Sequence, residues 1–298
     1  MIIVKISGGL GNQLFQYAFA RSVSLRLKTD FKLDINPYST YYKQVRKYSL
    51  NHFNTKQQFA KDSDFFGFVW FIKQNKIFNT FYKYLRLKKR LLPFYYSERT
   101  CHFDSSVFLK DGVYFDGFWT TEKYFRDIEL VLRKELVLIN PLSEESQATL
   151  REIKKSNAIS VHVRRYNTGA DKNYSNTIDY MGICSIDYYK KSMDYISGRE
   201  NNPHFFVFSD NYEWAIENFK SLPYKITCVK SEDEKDYEDL ILMSSCKHNI
   251  IANSTFSWWG AWLNPNEDKI IIAPRRWFNN VKASVDTKDI IPDSWIKM

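Results

Sequence analysis

The sequence predicts an α/β fold in two halves, each a parallel sheet covered by helices, and three observations predict it. A short apolar strand at the start runs through glycines directly into a helix, the second half alternates short apolar strands with helices, and a Pro-containing break near residue 140 divides the two regions. The length of 298 residues suits two domains of ordinary size, and 44% apolar letters can close a core in each. With only 10 Gly and 8 Pro, collagen-like and low-complexity chains are excluded. The 17% aromatic content is the departure from average, and such rings fill cores before they stack on sugars or bases.

Residues 2–6 read as a buried strand, 7–11 as a turn and 12–28 as a helix with Leu14, Phe15, Ala18 and Val23 on its apolar side. A second strand, 31–35, ends at the turn signal Asn36-Pro37. The stretch 43–99 has no clean alternation and reads as helical in pieces. Its basic part, 82–92, carries Lys83, Arg86, Lys88, Lys89 and Arg90 among Tyr84, Leu85, Leu87, Leu91 and Leu92. That pattern suits a solvated helix face, and also a peripheral contact with an anionic membrane. Residues 113–115 read as a strand and 122–136 as a helix. Asn140-Pro141-Leu142-Ser143 is the interdomain break, with Ser143 as a helix N-cap and Ser146 one turn on. The predicted domains are therefore 1–141 and 142–298.

Beyond the break, strands at 159–163, 205–209, 225–229, 249–252 and 269–273 alternate with helices at 186–196, 212–219, 237–246 and 256–263. Such alternation implies a parallel sheet covered on both faces, with ligand bound at the carboxyl ends of the strands, in a cleft between the halves.

A net charge of +9 suits an anionic partner: nucleic acid, a phospholipid surface or a nucleotide-linked substrate. The basic residues are spread through the chain without an RRM, helix-turn-helix or KH signature, which argues against nucleic acid. Four cysteines without CxxC spacing suit a reduced cytoplasmic protein. With no leader and no apolar run approaching about 18 residues, the expected location is cytoplasmic, with a peripheral association at the inner membrane compatible with the basic segment. The one Asp-x-Asp, Asp62-Ser63-Asp64, has no strand leading into it and reads as chance. No His/Cys cluster, GxSxG or Walker loop supports a metalloenzyme, hydrolase or ATPase.

Four constellations could carry chemistry. The turn Gly8-Gly9-Leu10-Gly11-Asn12-Gln13 places backbone N–H groups where strand meets helix, but it is not GxGxxG; Asn12, Gln13 and Gln16 add amide donors and acceptors. His162-Val163-Arg164-Arg165 sends two adjacent guanidiniums out of a core strand's carboxyl end, where their forks match diphosphate oxygens. His162 reads equally as a satisfied core histidine or a ligand contact. Asp210, after Phe208-Ser209, reads as a helix cap or a ligand acceptor, capping being the commoner fate. Asn253, Ser254, Thr255, Phe256 and Ser257 open a helix after a strand, which gives an anion site or ordinary capping.

Together with the following Trp258-Trp259-Gly260-Ala261-Trp262, these motifs resemble, in order and over essentially the whole chain, the bacterial α-1,2-fucosyltransferases of glycosyltransferase family eleven. The resemblance implies a GT-B type fold, two Rossmann-like halves facing a central cleft, with an N-terminal acceptor-side domain and a C-terminal GDP-sugar-binding domain. It implies a GDP-linked 6-deoxy-L-sugar donor, no cofactor and no metal. Transfer would proceed with inversion to the 2-hydroxyl of a galactose on an oligosaccharide or lipid-linked acceptor, in O-antigen or surface polysaccharide synthesis. Arg164, Arg165 and His162 then fall at the reacting centre, and the turn at Ser254, Thr255, Phe256 and Ser257, with Asn253, falls at the donor diphosphate. Asp210, Glu238 and Asp239 become candidates for nucleoside contacts. Gly9, Gly11, Asn12, Gln13, Glu122 and Asn167 fall on the sugar or acceptor side.

The chain departs from the family pattern in its polar complement. Tyr166-Asn167-Thr168 stands where the family usually has Gly-Asp-Tyr, Thr120 where a Gln commonly stands, Met181 where a His does, and Asn211 where a second Asp follows. A site that loses hydrogen-bonding partners suits a donor lacking a hydroxyl. The alternative donor is therefore GDP-colitose, the 3-deoxy counterpart of GDP-fucose. An inactive sugar-nucleotide-binding protein is a further reading. Asn167 cannot take up a proton, so Asp34, Asp116, Glu122 and His162 remain as candidate general bases.

Overall fold

The computed structural model describes residues 1–40, 46–65, 94–166, 179–231, 235–279 and 287–298. Asn167 and the basic segment 82–92 lie outside the described residues. Two compact units are present: Met1–Val137 with Lys288–Ile290, and Leu138–Thr287 with Ile291–Met298.

In the first unit, β1 (Ile2–Lys5), α1 (Leu10–Leu27), β2 (Phe31–Asp34), α2 (Asn36–Thr40), β3 (Tyr95–Ser97), β4 (Tyr114–Asp116) and α3 (Glu129–Glu135) follow one another. The sheet order is β2-β1-β4-β3, with every pairing parallel. Gly8 makes the strand-to-helix turn at φ +82°, where an added Cβ would lie 2.5 Å from the Asn12 amide nitrogen. Lys28, in the left-handed region, ends α1 by donating its N–H to Leu25 and Ser24 carbonyls. The aromatic excess goes largely into cores: Phe19 stacks on Trp119 at 4.0 Å, and both meet Phe115 and Tyr124 edge-on.

The helix expected over 122–136 is shorter than its sequence suggests. Two 3-10 turns, Glu122–Tyr124 and Arg126–Ile128, precede α3. Tyr124 and Phe125 are consecutive and both buried, Tyr124 against Phe19 and Phe125 against Phe15. One straight helix turns successive side chains about 100° apart and does not serve both contacts. The short strand β3 was not evident from the sequence, nor was the short helix α2 at the Asn36-Pro37 turn. Asp64 of the Asp-x-Asp pairs with Lys32 at 2.6 Å and accepts the Lys61 N–H, an ordinary structural use.

The second unit runs α4 (Glu144–Lys154), β5 (Asn157–Val163), α5 (Ile186–Ser197), β6 (Pro203–Ser209), α6 (Tyr212–Phe219), β7 (Lys225–Val229), α7 (Asp236–Ser244), β8 (His248–Ile250), α8 (Thr255–Leu263), β9 (Ile271–Ala273) and β10 (Ile296–Lys297). Its six strands are parallel in the order β10-β9-β8-β5-β6-β7. Ser143 caps α4, as its place after the break predicts. One sheet face packs Ile159, Val161, Val163, Phe205 and Val207 with residues of α5 and α6. Alternation turns Ser160 and His162 to the other face, where the Asn249 amide donates to the Ser160 hydroxyl at 2.7 Å. Near the chain's end Trp258 meets Trp259, Trp262 and Trp295.

A charged cluster anchors α3 to α1. Arg21 donates through Nε and Nη2 to Glu135, at 2.7 Å for the shortest contact, and the Tyr17 hydroxyl donates to the same carboxylate at 2.6 Å. The two charged side chains are only 7% and 12% exposed. Glu135→Ala strands a buried guanidinium and is expected to destabilise the protein by about 3–5 kcal/mol in urea denaturation, whereas Arg26→Ala, on an exposed pair with Asp127, costs about 1 kcal/mol or less.

Candidate functional site

Strands β5 and β6 pair in register, Val163 opposite Ser209, so the residues that leave them, Arg164 and Asp210, emerge side by side. The Asp210 carboxylate accepts the Arg165 backbone N–H at 2.7 Å and the Arg164 guanidinium at 3.3 Å. The helix α6 takes its cap from Asn211 instead, whose side-chain oxygen accepts the Trp214 N–H at 3.0 Å. Capping is thus delegated to the next residue, and Asp210 turns toward the arginines. Trp214 supplies a second support, its ring lying 4.2 Å beneath the Arg165 guanidinium. Nothing in the sequence marks Trp214, one helical turn after the motif.

His162 belongs to the same cluster. It is buried, its ring lies 5.5 Å from that of Phe256, and its Nδ1 has no hydrogen-bond partner among the described residues. Burial depresses its basicity, and the Arg164 charge depresses it further.

The start of α8 divides its polar residues between two tasks. The Asn253 amide donates to the carbonyls of Met181 (2.7 Å), Gly182 (3.3 Å) and Trp277 (3.1 Å), and its oxygen faces the Cys184 thiol. Those bonds fix the neighbouring loops. Ser254 caps the helix by accepting the Phe256 N–H, and the Ser257 hydroxyl donates back to the Ser254 carbonyl. Thr255 and Phe256 form the first turn, where the helix presents its positive end.

Glu238 accepts from both the hydroxyl and the N–H of Ser143, at 2.7 and 3.1 Å. Burial works to raise its pKa, but the Ser143 and Ser146 hydroxyls outweigh burial and hold it below the usual range. Asp239 takes a hydrogen bond from Ser231, and burial pushes its carboxyl up to about 7. The cavity these two carboxylates border holds only about 30 Å³, room for water rather than a ring.

In the first unit the glycine turn is held by amides. Gln13 donates to the Gly8 and Lys47 carbonyls and accepts the Ser49 N–H, which occupies both ends of its side chain. Gln16 does the same for Ser7 and Gly117. Gly9 is the α1 N-cap and Gly11 is buried in its first turn, while Asn12 stays half-buried beside Gly8. Glu122, half-buried, opens the 3-10 turn capped by Thr121. Two of the candidate bases are engaged: Asp34 accepts from the Tyr114 hydroxyl at 2.6 Å, and Asp116 accepts from Lys5 and Tyr95.

Sequence reasoning missed one carboxylate. Glu98, just past β3, accepts the N–H groups of Phe118 (2.6 Å) and Trp119 (3.1 Å), and burial pushes its carboxyl up to about 7. Only the unrecognised strand before it could have pointed to it. Among the described residues, no group of three or more His, Cys, Asp or Glu could hold a metal ion, and no helix is long and apolar enough to cross a membrane.

With its depressed basicity, His162 is expected to stay neutral between pH 5 and 8. An NMR titration of its ring protons should be flat across that interval; a midpoint near the ordinary histidine value of about 6.5 would contradict this environment.

The family description Glycosyl transferase family 11 matches residues 1–298. An alpha-1,2-colitosyltransferase of Escherichia coli is 33% identical over 100% of this chain and 99% of its own length. The O-antigen biosynthesis glycosyltransferase WbnK, also of Escherichia coli, is 31% identical over 98% and 99%. The Homo sapiens galactoside alpha-(1,2)-fucosyltransferase 1 is 26% identical over 49% of this chain and 42% of its own. Among solved structures, NodZ alpha-1,6-fucosyltransferase co-crystallized with GDP superposes with a TM-score of 0.50 at 14% identity, over 87% of this chain and 91% of that one, a likeness of fold alone. The two parallel α/β units are of the GT-B type.

Proposed function

Because the chain belongs to glycosyltransferase family 11, we propose that it is an inverting transferase that moves L-fucose from GDP-L-fucose to the 2-hydroxyl of a terminal galactose. The acceptor is an oligosaccharide or lipid-linked glycan in O-antigen or surface polysaccharide assembly. The observation that carries the reading is the pair Arg164 and Arg165, organised by Asp210 at the carboxyl ends of β5 and β6.

In such a transfer the acceptor oxygen bonds to the anomeric carbon as the bond from that carbon to the β-phosphate oxygen breaks. The electron pair leaves on the diphosphate, so the transition state gains negative charge there, and preorganised cations lower its energy. Two guanidiniums after β5, and the N-terminus of α8 after the neighbouring strand β8, supply that charge, and the planar fork of each arginine matches phosphate oxygens. Asp210 holds the Arg164 guanidinium and the Arg165 backbone N–H, which fixes the Arg164 side chain and the backbone from which Arg165 departs. Trp214 limits the rotamers of Arg165 from below. Neutral His162, packed on Phe256, acts as a positioning group in this reading and leaves the positive charge to the arginines. Asn253 and Glu238 serve by holding loops and helix ends.

A specific observation favours a second donor. The relatives matching nearly end to end include the colitosyltransferase at 33% identity, whereas the galactoside fucosyltransferase matches across only 49% of the chain. GDP-colitose as donor also fits the replacement of an amide, an imidazole and a carboxylate of the family pattern by Thr120, Met181 and Asn211.

Arg165→Ala is expected to lower kcat/KM for the GDP-sugar by about 100-fold or more without changing the melting temperature, as loss of one transition-state donor does. Retained full activity would remove the diphosphate role. Turnover measured separately with GDP-fucose and GDP-colitose, on a lacto- or galacto-type disaccharide without added metal, decides the donor: GDP-fucose turnover supports the first reading, and turnover of GDP-colitose alone replaces it with the second.

A further inference from the structure

The first unit holds a cavity of about 380 Å³ that none of the sequence motifs lines. It lies at the carboxyl end of its sheet, where β3 leads into Glu98 and β4 leads into Trp119, and its size falls within the about 300–1,000 Å³ of small-molecule sites. Three features of its wall are those of a built site. Trp119 holds φ +57°, a left-handed conformation uncommon for a bulky residue, and the Glu98 carboxylate accepts its backbone N–H. The Trp119 indole N–H is buried and has no hydrogen-bond partner among the described residues. An unused buried donor is destabilising, and a ligand oxygen or a water would satisfy it. The Glu98 carboxylate, in turn, uses its oxygens on two backbone N–H groups and retains lone pairs for further donors.

Charge and shape narrow the ligand. Glu98 and Asp104 balance Arg99 and Lys110 around the cavity, so no net charge selects an anion such as a diphosphate. Polar donors and acceptors and the ring of Tyr96 line it, a combination that fits a ring with hydroxyls on its rim and C–H bonds on its face. Phe118, one of the two residues whose N–H groups Glu98 accepts, is 46% exposed and adds an apolar surface at the same corner.

We propose that this cavity binds the neutral pyranose of the acceptor, with Glu98 accepting hydrogen bonds from its hydroxyls and the Trp119 indole donating to a ring or hydroxyl oxygen. The assignment rests on the reading of the chain as a galactoside-directed transferase and places the acceptor sugar away from the glycine turn, whose Gln13 and Gln16 amides are already engaged. Burial, which pushes the Glu98 carboxyl up to about 7, means that ligand hydroxyls donating to the ionised form replace hydration the protein withholds.

Calorimetric titration of the full chain with methyl β-galactoside and with lactose, at saturating GDP, tests the cavity. Glu98→Gln and Trp119→Phe are titrated beside the wild type, with melting temperatures and GDP affinity measured on the same samples. The expected result is galactoside binding weakened about tenfold or more in each variant that retains the wild-type melting temperature, the size of one lost hydrogen bond to a buried or charged partner, with GDP affinity unchanged. Unchanged galactoside affinity in either such variant, or no galactoside binding by the wild type, overturns the assignment. A failure of the functional reading shows separately, as a wild-type chain that neither binds GDP nor turns over a GDP-sugar.

Discussion

The Asp210 carboxylate is the contact on which the arginine pair at the end of β5 depends. Two adjacent arginines leaving a strand would repel one another and splay into solvent; a carboxylate between them draws the Arg164 guanidinium and the Arg165 backbone to one point. The β5–β6 register makes this possible, because Val163 opposite Ser209 delivers Arg164 and Asp210 at the same height. Arg164 and Asp210 are only 18% and 7% exposed, so the pair's attraction is offset by desolvation and its value lies in fixed geometry more than in stability. Asn211 matters for the same reason: by taking over the cap of α6 it leaves both Asp210 oxygens for the arginines.

The two units spend their polar side chains differently. In the first, Gln13 and Gln16 are consumed in holding the glycine turn, and Asp34 and Asp116 bind tyrosine hydroxyls at the sheet's carboxyl edge. Beside Glu98, Trp119 combines a left-handed backbone with a buried indole N–H that has no partner among the described residues. In the second, buried amides tie loops together: Asn253 holds three carbonyls, and Asn249 and Asn264 link β8 to the ends of the helices beside it. These residues hold the loops and helix ends around β8 and the start of α8.

Much of the fold was legible because it is regular. The Rossmann-like alternation of the second half places β5 through β9 and the helices α5 to α8 within a few residues of their positions, since buried parallel strands are short apolar runs between amphipathic helices. The arginine motif was legible for a related reason: charge at the end of a core strand has few structural uses. The weak points share a cause. Strand β3 is three residues, β10 is two, and the 122–128 turns are set by where Tyr124 and Phe125 pack, so long-range contacts decide them rather than periodicity. Glu98 was invisible because its environment is supplied by Phe118 and Trp119, twenty residues away in sequence. For Asp210, sequence favoured a cap, and the neighbouring asparagine took that task instead.

A crystal structure of the full chain with GDP tests the central claim most directly. The account requires a β-phosphate oxygen within about 3 Å of a guanidinium nitrogen of Arg164 or Arg165, with the diphosphate against the first turn of α8. GDP bound away from both guanidiniums, or held at the glycine turn of the first unit, would contradict it.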